Sequence, residues 1–114
     1  MATIKSYTTI EQSHKLAEIL PLESADMKIL PFTEREYRIV PINDIAVCGR
    51  EDEIYTWSLS ALLSVLPIPS LHQTKDGSWY CNAEPNRLYF SKYCDNPVDA
   101  CVNMIEKLYE LNLL

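Results

Sequence analysis

Three times early in the chain the same phrase recurs: EILPL from Glu18 to Leu22, KILPF from Lys28 to Phe32 and RIVPI from Arg38 to Ile42. Proline lacks a backbone donor, and it pushes the residue before it out of the helical region. Each copy is therefore a place where a helix stops, or where a strand runs only at an end or an edge. The first copy closes a helical pattern. The other two set a β-branched Ile ahead of an X-Pro step, which predicts two short extended segments, Met27–Phe32 and Glu36–Val40, joined by the polar TERE. The ten-residue spacing ends there, because the next register reads CGRED. A stacked repeat needs several copies of one unit, so the phrase acts as punctuation.

Between these stops, three helices are predicted. The first lies near 9–20: Thr9 and Gln12 match a capping box, Ile10, Leu16, Ile19 and Leu20 form an apolar stripe, and Pro21 ends it. The second lies near 57–66, with Thr56 as cap, Trp57 sealing its start, Leu59, Leu62, Leu63 and Leu66 on one face, and Pro67 as the stop. The third lies near 97–112. Asn96 is its N-cap, Pro97 its first residue and Asp99 meets the helix dipole. Val98, Cys101, Val102, Ile105, Leu108 and Tyr109 form its buried stripe, and Met104 and Leu111 widen it.

The β signals are shorter. Ile45–Cys48 suits a short buried strand ended by Gly49, followed by a solvated REDE loop. Asp76-Gly77 between two apolar runs predicts a hairpin with a two-residue turn. With the aromatic run after NAEPN this gives a three-strand meander near 70–93, its strands at 70–75, 78–82 and 87–93. The expected class is α+β: one domain, 1–114, with a small antiparallel or mixed sheet packed by about three helices.

Charge narrows the function. Residues 1–57 carry ten acids and six bases, and residues 58–114 six acids and four bases, which gives the net −6. A nucleic-acid binder presents a basic stripe, and this chain has none, so nucleic acid is not expected as a partner. No run of eighteen apolar residues occurs, and the N-terminus lacks an apolar signal core, so a cytoplasmic location without membrane contact is expected.

Reactive chemistry finds little purchase. Cys48, Cys81, Cys94 and Cys101 are separated by 33, 13 and 7 positions, without the paired knuckle of a zinc site. Cys81, Cys94 and His72 are the one set that neighbouring strands would gather. Cys94 precedes a helix N-terminus, where the dipole favours thiolate, so a cysteine nucleophile with His and Asp95 or Asp99 is the enzymatic alternative. The two glycines are each taken by a turn, which leaves no phosphate cradle. No cofactor, metal or catalytic residue is assigned.

The aromatic residues are the remaining feature. Trp79, Tyr80, Tyr89, Phe90 and Tyr93 fall on adjacent strands, where neighbours point to opposite faces. One set enters the core and the other faces outward. The expected interaction surface is Tyr80, Tyr89, Tyr93, Met104 and Leu111, for a protein partner or a second copy. A further alternative is an acidic inhibitor of a nucleic-acid-binding enzyme, using the acids of 50–53 with Asp95 and Asp99. The ordered segments TIEQSHKLAEILPLESADM, TWSLSALLSVLP, DGSWYCN and DNPVDACVNMIEKL together resemble small uncharacterised proteins encoded by phages and mobile elements of gut bacteria. The resemblance implies an intracellular accessory protein and carries over no site residue.

Overall fold

Asn96 sets the start of the longest helix. Its side chain accepts the Asp99 N–H at 2.9 Å, and Pro97 occupies the first turn, where its missing donor goes unused. In this computed structural model, which describes residues 5–31, 37–42, 54–84 and 90–114, the helix α3 runs Pro97–Glu110. It ends where Asn112 turns left-handed (φ 57°). The Asn112 and Leu113 N–H groups then reach back to the carbonyls of Tyr109 and Leu108. That is a Schellman closure with Asn in place of the usual Gly.

The other helices are α1 (Ile10–Ile19) and α2 (Leu59–Val65). At α1 both arms of the capping box form: the Thr9 side chain accepts the Gln12 N–H, and Gln12 accepts the Thr9 N–H. At α2 the cap differs from expectation. Ser58, not Thr56, receives the Ala61 N–H at 3.2 Å. Thr56 instead ends the strand β3 (Ile54–Thr56), which the sequence pattern did not announce.

β3 joins β1 (Met27–Pro31) and β2 (Tyr37–Pro41) in an antiparallel sheet of order β2-β1-β3, with Ile29 facing both Ile39 and Ile54. Pro31 and Pro41 stand at strand ends, as their missing donors require. Lys28 pairs across from Tyr55, its ammonium 5.8 Å from the ring centroid.

β4 (Ser70–Gln73) and β5 (Trp79–Asn82) form a second antiparallel sheet. Their turn holds three residues rather than the two expected. Gly77 donates to the Thr74 carbonyl, Thr74 N–H closes on Ser78, and Gly77 takes the left-handed φ of 89°. The Asp76 carboxylate fixes the turn by accepting from the Thr74 hydroxyl and the Ser78 N–H. The predicted strand at Ile45–Cys48, the loop at Arg50–Glu53 and the start of the third meander strand lie outside the described residues.

The α+β class holds, with three helices and two small sheets among the described residues. α3 packs on β5, α2 and α1. Leu16, Trp57, Leu62, Cys81, Val98, Cys101, Met104, Ile105 and Leu108 share one core. Met104 is fully buried, so it leaves the expected interaction surface. The wide apolar side of α3 reflects burial against three elements at once. Tyr109, placed in the buried stripe by its spacing, is exposed beyond their reach.

Trp57 is wholly enclosed, and its indole N–H donates to the Ser24 hydroxyl at 2.9 Å. Trp57→Ala is expected to lower unfolding stability by about 3–5 kcal/mol, the range for emptying a buried aromatic site. Asn96→Ala is expected to lower it by about 1 kcal/mol, the worth of an N-cap. Urea unfolding followed by far-UV circular dichroism checks both.

Candidate functional site

The run 90–94 lies along β5 but does not form a regular strand. Asn82 pairs with Phe90, and Trp79 pairs with Cys94. Three steps on β5 thus face four on the partner, so one extra residue is bulged out. Ser91 marks the place. Its N–H donates to the Cys81 carbonyl, and its hydroxyl accepts the Cys81 N–H at 2.8 Å, where a backbone carbonyl would ordinarily stand.

The bulge decides which rings meet. Strict alternation puts residues 90 and 93 on opposite faces. With one residue bulged out, Phe90 and Tyr93 both reach Tyr80. Tyr80 and Phe90 are 5.9 Å apart between centroids, with planes at 74°; Tyr80 and Tyr93 are 5.5 Å apart at 79°. His72 stacks on Tyr80 at 4.8 Å and 17°, directly across the β4–β5 ladder. Trp79 points the other way and packs on the core. Tyr93 is 71% exposed and Phe90 44% exposed.

Of the expected surface residues, then, Tyr80 and Tyr93 come together. Tyr89 lies outside the described residues. Leu111 is exposed one turn beyond Lys107 on α3, whose ammonium donates to the Phe90 carbonyl at 2.7 Å. Phe90 was missed as a surface ring, because period-two reading cannot see a bulge. The small hydroxyl residue Ser91 between two aromatic positions is the local trace of it, and it is not distinctive in sequence.

A second cluster surrounds Asp99. One carboxylate oxygen accepts from Lys5 at 2.6 Å and Gln12 at 2.8 Å, and the other accepts from Asn96 at 2.9 Å. These bonds hold the Asp99 carboxyl below the usual range, although partial burial, the largest single influence, pushes it upward. Lys5, Gln12 and Asp99, together with Cys94, help line an open hollow of about 450 Å³. The hollow does not make a thiolate. Burial pushes the Cys94 thiol up, and the charges of Asp99 and Asp95 add to this. Its S–H donates to the Lys92 carbonyl. The helix-dipole argument for an activated Cys94 is thus overridden by desolvation and two carboxylates.

Cys81 and Cys101 are both fully buried between β5 and α3. The Cys101 thiol is held protonated by the bond it donates to Cys81 and by burial. Among the described residues no three His, Cys, Asp or Glu side chains converge as metal ligands. The His72 imidazole, instead of joining Cys81 and Cys94, stacks on the Tyr80 ring. Among the described residues no helix is long and apolar enough to cross a membrane. No protein-family model, curated protein or solved structure matches the chain.

Site-resolved thiol labelling at neutral pH is expected to find Cys94 slow, and faster only above the ordinary thiol range; native Cys81 and Cys101 should stay unlabelled. Asp99→Asn is expected to reduce stability at neutral pH. A depressed carboxylate contributes above its unfolded pKa, and the contribution disappears as pH falls through the folded value. The stabilities of wild type and variant should therefore converge in acid, which denaturation midpoints across pH will read.

Proposed function

We propose that the chain is a non-enzymatic cytoplasmic accessory protein that works by protein–protein contact. Its docking surface is the outer face of the β4–β5 hairpin and the run 90–94, where His72, Phe90 and Tyr93 each pack on Tyr80. The supporting observation is that Phe90 and Tyr93 stay largely exposed while resting on Tyr80. Rings left at the surface and braced by other rings are rigid apolar anchors, and aromatic residues dominate the energetic centres of interfaces. The exposed Leu111, Leu113 and Leu114 beyond α3 offer further apolar area. The net charge of −6 disfavours nucleic acid as the partner. Burial and the charges of Asp99 and Asp95 push the Cys94 thiol up, which disfavours the cysteine-nucleophile alternative. The acidic-inhibitor reading draws nothing from Asp99, whose carboxylate is taken up by Lys5, Gln12 and Asn96.

Capture of partners from cells that make the protein tests the proposal. Phe90→Asp with Tyr93→Asp should abolish specific capture, whereas Leu22→Asp, also at an exposed apolar position but outside the ring cluster, should leave it intact. Sedimentation equilibrium reads the homotypic case. A mass above the 13.1 kDa of one chain, returning to one chain in the double variant, makes the second copy the partner. If the double variant retains both its captured proteins and its mass, the docking face is not there.

A further inference from the structure

Tyr80, Phe90 and Tyr93 do more than sit side by side. They enclose a hollow of about 260 Å³, completed by Ser91. Tyr80 meets both other rings at steep angles, 74° and 79°. The polar atom of Ser91 is already used: it accepts the Cys81 N–H and donates to the Lys92 carbonyl. Among the described residues the lining thus offers ring surface and no charged group. Its volume falls below the roughly 300–1,000 Å³ of sites that take a whole drug-sized ligand, so it suits a head group.

Ring faces are electron-rich and attract cations. A bare ammonium is strongly hydrated and would have to shed water with no carboxylate among the described lining residues to replace it. A methylated ammonium keeps its charge, covers it with apolar methyls and needs no acceptor. The chain's net charge of −6 also favours a cation over an anion at long range. Lys92, between Ser91 and Tyr93 in the chain, is not among the described lining residues. Lys107 is bonded to the Phe90 backbone carbonyl, and Lys75 lines a different hollow, with Asp76 and Tyr93.

We propose that the Tyr80–Phe90–Tyr93 hollow is an aromatic cage for a methylated ammonium group, of the kind borne by a trimethylated lysine side chain or by a choline-type small molecule. This rests on the ring face being a binding surface, and it names the chemistry that the face recognises.

Two-dimensional NMR of the full chain tests it, by titration with tetramethylammonium, choline, and a peptide with trimethylated or unmodified lysine. The neutral neohexyl alcohol, which has the shape of choline without its charge, is the control. The methylated cations should shift the Tyr80, Phe90 and Tyr93 ring signals saturably. The neutral isostere should bind about tenfold more weakly, the difference a desolvated cation–π contact supplies. Phe90→Leu and Tyr93→Leu keep apolar bulk at exposed positions and should each weaken cation binding about tenfold while the far-UV circular dichroism of the folded chain stays unchanged. Tightest binding by the trimethylated peptide identifies a protein source, and equal or tighter binding by choline a small-molecule source; either supports the cage. No saturable shift, or equal binding of the neutral isostere, overturns it. If the cage fails in this way while the Phe90/Tyr93 aspartate pair still abolishes capture, the docking face survives without it.

Discussion

Everything in the larger half of the fold turns on enclosing one indole. Trp57 is fully buried, and a buried indole must find an acceptor for its N–H. Ser24 supplies it, held in place by its own bond to the Pro21 carbonyl. The backbone around Trp57 is equally committed. Its N–H goes to the Thr8 hydroxyl and its carbonyl takes the Thr8 N–H. Thr8, Ser13 and Thr56 then continue a chain of buried hydroxyls between the N-terminal segment, α1 and β3. One residue, through its indole and its backbone, thereby ties together the Ser24 turn, the N-terminal segment, α1 and β3, because each polar group dragged inward with it has to be paired.

The residue after Trp57 extends the same logic. Ser58 caps α2 with its hydroxyl oxygen while its own N–H and O–H both go to Asp26, at 2.9 Å and 2.5 Å. The start of α2 is thus pinned to the segment leading into β1. This explains why Thr56 is not the cap. The chain needs two more residues to bury Trp57 before it can begin a helix, and Ser58 has a carboxylate waiting for it.

The ring face has a different origin. It depends on a misfit between β5 and the run that follows, where one extra residue turns two rings toward a third. Strain of another sort stands at the far end of the same hairpin. Ile68 sits between two prolines at φ 43° and is 68% exposed. A β-branched residue is rarely left-handed, and such a backbone costs about 1–3 kcal/mol. The Glu84 N–H bond to the Pro67 carbonyl holds the neighbouring chain in place there.

The sequence alone was sufficient for what is local. Thr9, Asn96, Pro97 and the four proline stops at Pro21, Pro31, Pro41 and Pro67 act within a few residues of themselves, so their chemistry could be read in order along the chain. The opposite facing of Trp79 and Tyr80 was equally legible, since it follows from the pleat. What tertiary structure decided is everything that required a distant partner: β3 pairing with β1, Ser58 displacing Thr56 as cap, Met104 sinking into the core, Cys94 losing thiolate character to burial and then to Asp99 and Asp95, and Phe90 joining Tyr93. Each of these depends on which groups are buried together and which donors they then share, and neither periodicity nor propensity carries that information.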